Sequence, residues 1–283
     1  MGRFWSILFL MVPIFGIGIF LWAMADWWPM ERHWLPENIN DYGHVIDNLF
    51  YFILIITGIA FLGTGLAMFW FMWKYDAATN TEPVKYTHGS HSLEVVWSII
   101  PAAILLFIAI FQLNAWEDQK MRRPLLSKGA DNQEGTADDI LLPPLVEVTG
   151  RQFEWRIRYA GKDKLIGTDD DILTVNDLHV PYGEDVVIQI QSMDVLHSFF
   201  LPNMRVKQDV VPGMKQFVWF RARPPAVNNA KPRTFDVVCA ELCGWGHYKM
   251  RGRLTVESRD DFDRWLANQW DEQNRDSFVA SNE

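Results

Sequence analysis

Near its C-terminus the chain reads Cys239, Ala240, Glu241, Leu242, Cys243, Gly244, Trp245, Gly246, His247, Tyr248, Lys249, Met250. Two thiols, an imidazole and a thioether in so short a stretch form a soft donor set, and soft donors select copper or iron–sulfur over hard ions. Zinc accepts Cys and His but has no use for the methionine that follows the histidine. A single electron-transfer copper takes one Cys and two His. Two cysteines therefore ask for two metals, with both sulfurs bridging and each metal completed by one imidazole and one weak ligand. The second imidazole is expected at His197, in the run Asp194, Val195, Leu196, His197, Ser198, Phe199, Phe200. Gly244 and Gly246 let such a loop wrap tightly, and Trp245, Phe199 and Phe200 are expected to form an apolar shell that tunes the potential.

Simpler explanations compete with this one. Cys239 and Cys243 are the only cysteines, so a disulfide framework and a four-cysteine zinc site are excluded, and with no CxxCH so is a covalently attached c-type haem. A disulfide between the two would leave His247 and Met250 as coincidences. His33, His44, His88, His91 and His179 stand without partner patterns and read as interface, loop or structural residues.

The elements that must position these donors fall into two kinds. Uncharged apolar runs at Phe4 to Ala25, Leu49 to Trp73 and Val95 to Trp116 are each long enough to cross a hydrocarbon core of roughly 30 Å. Trp and Tyr flank the second and third runs, as in aromatic belts at the interfaces. These runs give an N-terminal helix or signal segment over 1–25 and a transmembrane hairpin over 49–116. The sequence Ala23, Met24, Ala25 resembles a cleavage site, but the apolar stretch is longer than a usual signal core. Asp26, Glu31, Glu37, Asp41 and Asp47 against Arg32 put the first loop outside, and Lys74 and Lys85 put the second inside. Residues 117–283 then lie on the outer face.

That outer part reads as all-β. Short branched and aromatic runs around Val146 to Val148, Phe153 to Ile157, Val186 to Ile190, Phe217 to Phe220, Phe235 to Val238 and Leu254 to Val256 are punctuated by Pro, Gly, Asn and Asp. Such spacing points to a Greek-key sandwich or barrel. A last helix is expected after Ser258 and Asp261, which are spaced as a capping box, with Phe262, Trp265 and Leu266 on its packed face. Gly129, Asp131, Gly135, Thr136, Asp138, Asp139 and Ile140 recur in the same order as Gly161, Asp163, Gly167, Thr168, Asp170, Asp171 and Ile172. These are solvated acidic turns or calcium loops, although the full calcium-loop pattern is incomplete. A formal charge of −9 argues against a nucleic-acid partner.

With these residues in place, the chain resembles subunit II of the haem-copper cytochrome c oxidases from Leu49 to about Trp265, most specifically in CxExCxxxHxxM. The resemblance implies a cupredoxin-like domain on a helical anchor in the inner or plasma membrane. It implies a dinuclear copper centre, CuA, held by His197, Cys239, Cys243, His247, Met250 and the backbone carbonyl of Glu241. It also implies magnesium at the Glu241 carboxylate, facing subunit I. Electrons would come from cytochrome c or a dedicated cytochrome and pass to haem in subunit I, where oxygen is reduced and protons are pumped. Asp194 would face a basic donor, with steering that weakens in salt, and Glu94 would stand at the mouth of a proton-uptake path. Electron intake would involve Phe153 and Trp155, but Phe153 and Glu154 depart from the aromatics usual in the family. A quinol-oxidase subunit would keep the fold without the ligands. A copper-delivery or thiol-redox membrane protein is the remaining alternative.

Overall fold

The computed structural model describes every residue except 1, 32, 84–85, 130–133, 226–231 and 281–283. Arg32, Lys85 and Asp131, used above in the loop charges and the first acidic repeat, lie outside the described residues. The chain forms two units, 1–36 with 47–113, and 37–46 with 114–283.

The first unit is built on α1 (Gly2–Met24), α2 (Gly43–Lys74) and α3 (His91–Phe111), each long and apolar enough to cross a membrane. α1 lies against α2 because Gly65 offers no side chain: a Cβ there would stand 3.3 Å from the Pro13 ring. The Arg3 guanidinium sits 5.0 Å above Trp73, and Trp34 Nε1 donates to the Tyr51 hydroxyl at 2.8 Å. The two helices therefore run antiparallel. α3 starts at a true N-cap, with Ser90 Oγ accepting from the Leu93 amide, and Glu94 in its first turn suits the positive end of the helix.

Past the short α4 (Leu113–Lys120), the second unit is mostly strand. β1 (Leu125–Ser127) and β2 (Ile140–Leu141) form a small ribbon. Then come β3 (Val146–Arg151), β4 (Glu154–Tyr159), β5 (Ile172–Val175), β6 (Asp177–Pro181), β7 (Asp185–Ser192) and β8 (His197–Leu201). β9 (Val206–Val210), β10 (Gln216–Arg221), β11 (Arg233–Cys239) and β12 (Arg251–Glu257) complete the set. Two five-stranded sheets result, ordered β10-β7-β3-β4-β5 and β6-β12-β11-β8-β9. β3 with β7 and β12 with β6 are the parallel pairs among otherwise antiparallel neighbours.

The sandwich follows from period-two alternation. Trp155, Ile157 and Tyr159 of β4, Val186, Ile188 and Ile190 of β7, and Val218 and Phe220 of β10 all point into the core from one sheet. His197, Phe199 and Leu201 of β8, Val237 and Cys239 of β11, and Leu254 and Val256 of β12 answer from the other. The helical anchor and the all-β cupredoxin-like sandwich are thus both present.

The chain closes with α5 (Arg259–Ala280), capped as its sequence announces: Asp261 N donates to Ser258 Oγ at 3.1 Å, and that hydroxyl donates to Asp261 Oδ2 at 2.7 Å. Phe262 is buried, and Trp265 stacks on His179 at 3.8 Å with 5° between the rings. His179 also bonds Glu257 Oε1 at 2.8 Å, so its role is structural. The acidic repeats are paired turns of one design. Asp139 accepts from the Gly129, Gly135 and Thr136 amides, and Asp171 from those of Gly167 and Thr168, with Arg158 3.0 Å away. These carboxylates fold back on their own backbone rather than gathering around a shared centre. Among the described residues, neither repeat supplies a close group of three His, Cys, Asp or Glu ligands.

Candidate metal centre

β8 and β11 are neighbours in one sheet, with Cys239 opposite Phe199. Alternation turns Cys239 and His197 to the same inner face, and the register leaves Cys239 Sγ 3.9 Å from His197 Nδ1. The other donors arrive on the connection from β11 to β12. That connection is a hairpin loop: the ladder runs up to Val238 opposite Arg251, and the Cys239 amide donates to the Met250 carbonyl at 3.2 Å. Inside it Gly244 takes φ +135°, a conformation open to glycine, and a turn of 3-10 helix over His247–Lys249 brings the imidazole inward.

The result is one cluster. Cys239 and Cys243 sulfurs stand 3.8 Å apart, Cys243 Sγ is 3.7 Å from His247 Nδ1 and 3.8 Å from Met250 Sδ, and the Glu241 carbonyl is 3.3 Å from Cys239 Sγ. Both thiols are free, at a separation far beyond the ~2.05 Å of a disulfide bond. His197 and Met250 are fully buried and the cysteines nearly so. Packing five soft or imidazole donors and a carbonyl around one space has no stabilising purpose of its own. Their chemistry fits a thiolate-bridged copper pair.

The electrostatics agree. Burial opposes ionisation of Cys239, yet hydrogen bonding from His197 and from the Ser198 amide outweighs it and holds the thiol well below its ordinary value. Cys243 goes the other way, raised by burial and then by the charge of its neighbour.

Asp194 does not face outward as a free charge. Its Oδ1 accepts from His197 Nε2 at 2.8 Å and from the Val195 amide at 2.7 Å, and its Oδ2 accepts from the Gln152 amide at 2.8 Å. Although burial opposes it, these bonds hold the carboxyl below its usual range. With a metal bound, the Asp194 contact would keep the remaining imidazole proton on Nε2 and leave the Nδ1 lone pair for the metal.

Two expectations need correction. Trp155 is fully buried, in edge contact with His197 at 6.0 Å and Phe199 at 5.4 Å, so it floors the site and cannot touch a docked protein. Its phase with Ile157 and Tyr159 already carried that signal. Trp245, expected in the apolar shell, is 81% exposed. Phe153 is half-buried against the ligand loop, and Glu94 is exposed, 3.9 Å from His91. Sequence reading missed Gly150, where a Cβ would come within 2.9 Å of the His197 ring, and Gln152, whose amide donates to the Cys243 carbonyl at 2.5 Å.

Comparison with known proteins gives one family. Residues 37–115 match the model of the cytochrome c oxidase subunit II transmembrane domain, and residues 146–257 match that of its periplasmic domain. The alternative cytochrome c oxidase subunit 2 of Bradyrhizobium diazoefficiens is 38% identical over 44% of this chain and 50% of its own length. Cytochrome c oxidase subunit 2 of Thermostichus vulcanus is 27% identical over 88% of this chain and 82% of its own. The chain thus spans half of the first relative and most of the second. The crystal structure of the periplasmic domain of cytochrome oxidase subunit II from Bradyrhizobium japonicum is 26% identical, covers 45% of this chain and 93% of that one, and superposes with a TM-score of 0.37. With both domain models matched in order along one membrane-anchored chain, this protein belongs to the cytochrome c oxidase subunit II family.

Proposed function

We propose that this chain holds a dinuclear CuA centre and is the electron-accepting subunit of a respiratory haem-copper oxidase in an inner or plasma membrane. His197, Cys239, Cys243, His247, Met250 and the Glu241 carbonyl would be its ligands. The observation that carries the reading is their convergence, without a disulfide, from a strand face and a hairpin loop. When bound, the copper pair supplies a one-electron couple with little change of ligand geometry.

The chain's own residues do the rest. Asp194 orients His197, Trp155 and Phe199 exclude water from the inner side, and Met250, anchored in the core, offers a weak thioether without room to move away. Cytochrome c or a dedicated cytochrome would be the donor, and haem in subunit I the acceptor, with oxygen reduction and proton pumping taking place there. The Glu241 side chain, exposed while its carbonyl turns inward, would bind magnesium facing subunit I. Glu94 would serve proton uptake, and α1, packed on α2, would be a retained membrane helix.

The test is metal content together with electron spin resonance of the oxidised protein. A copper pair sharing one unpaired electron gives seven hyperfine lines. A four-line spectrum with a single copper per chain would overturn the assignment.

A further inference from the structure

Trp245 stands in the chain between Cys243 and His247, yet its indole is 81% exposed. It is nevertheless braced. Its ring meets Phe153 edge to face, with centroids 5.1 Å apart and 69° between planes. Phe153 in turn lies on the backbone of the loop: a Cβ would come within 2.5 Å of its ring at Gly246 and within 3.2 Å at Gly244. The adjoining Gln152 ties the same segment to the Cys243 carbonyl and to Asp194. An indole fixed in place but left in water loses little freedom when a partner covers it, which is the property of an interface anchor.

The chemistry around it indicates the partner. Leu242 and Tyr248, on the same loop, are 76% and 75% exposed. The nearby charges are mixed in sign: Glu154 lies 2.8 Å from Arg156 and 3.8 Å from Arg151, Asp194 accepts from two amides and His197, and Glu241 and Lys249, both exposed on the same loop, carry opposite charges. A docking protein therefore meets aromatic and aliphatic surface with little local net charge. That suits the apolar rim of an exposed prosthetic-group edge better than a ring of lysines.

We propose that Trp245, held by Phe153, is the contact residue for a protein electron donor that presents an exposed haem edge within an apolar rim. The proposal rests on the copper-site reading above. In the step served, one electron leaves a ferrous haem, which becomes ferric, and reduces the copper pair by one; no atom or proton is transferred. From the indole the path to two ligands is short, since Cys243 and His247 each lie two residues away along the chain. On this proposal apolar contact at Trp245, more than charge at Asp194, governs the docked complex.

The test uses the purified oxidase with wild-type, Trp245→Ala and Trp245→Phe chains, and a soluble mono-haem cytochrome c as probe. Spin resonance is read first and should be the same in all three. Hydroxyl-radical footprinting should then show Trp245 reactive in the oxidase alone and protected when the oxidised probe is bound. In stopped flow, Trp245→Ala should slow second-order reduction by about tenfold or more, as loss of an interface anchor does. The same factor should hold at low and high salt, with Trp245→Phe recovering part of the rate. Three results would overturn the proposal: protection of Trp245 before any donor is added, no protection on adding it, or a Trp245→Ala rate close to wild type. A wild-type spectrum without the copper pair would instead sink the underlying reading and leave the footprint to be judged by itself.

Discussion

The two halves of the candidate metal centre are built differently. His197 and Cys239 belong to paired strands, where ladder bonds and core packing fix the backbone and alternation aims the side chains. Cys243, His247 and Met250 belong to a hairpin loop shaped by a glycine, a turn of 3-10 helix and one aromatic ring lying across it. The strand half is a fixed wall, whereas the loop half is a flap latched at its ends. A centre of the proposed kind, changing oxidation state without moving its ligands, would benefit from the wall, and the flap brings the candidate ligands close to the surface.

The largest effect should come from removing a bridging sulfur from the wall. Cys239→Ser leaves one thiolate for two metals, so the seven-line spectrum should vanish and donor oxidation cease while the subunit still assembles. Near-normal turnover by that variant would refute the bridging role. Next in size, the two histidines should differ. His197→Ala opens a gap in a rigid sheet that neighbours cannot fill, whereas the loop bearing His247 can shift and let another donor approach. Copper stoichiometry after dialysis should therefore fall further for His197→Ala, and equal losses would erase the distinction between wall and flap.

Asp194→Asn tests the wall more gently. The ring of His197 keeps its place but loses the carboxylate that sets its tautomer, and copper affinity should drop by about 10- to 100-fold. Competition with a copper chelator would measure the drop, and unchanged affinity would show that packing alone orients the ring. Gly246→Ala should act on the flap: its Cβ collides with Phe153, so the ring must tilt while the copper spectrum changes little. A crystal structure with Phe153 unmoved would contradict this. The smallest effect on copper is expected for Glu241→Gln, because the ligand there is a carbonyl. Magnesium occupancy should decline instead, since a neutral amide is a poorer partner for a hard dication, and copper loss with full magnesium would reverse the two roles.

The candidate donors were legible in the sequence because metal chemistry constrains both residue type and spacing. Cys239, Glu241, Cys243, His247 and Met250 share one short stretch, and the structure draws them together without any long-range surprise. The membrane helices were legible because length and uninterrupted apolarity are sufficient evidence for them. Strands with several inward branched residues, such as β7 and β12, also announced themselves. β5, β6, β8 and β9 did not: β9 reads Val-Lys-Gln-Asp-Val, and only its end residues are buried, so its pattern is hard to tell from a loop. Local composition said nothing of Gly150, whose purpose is to make room for a ring that lies far along the chain. Trp155 and Trp245 reverse what adjacency to the motifs suggests, because strand phase buries Trp155 while the loop leaves Trp245 exposed.

The hairpin nature of the ligand loop has a consequence for how such a protein can diverge. Its two ends are ordinary ladder neighbours, Val238 opposite Arg251, and its outward positions Leu242, Trp245 and Tyr248 pack against little in the body of the sandwich. Substitutions at those three positions would therefore leave the ladder between β11 and β12 in place. On the proposed function, a change of redox partner would then need only a few substitutions at the loop surface, with the candidate donors beneath unchanged.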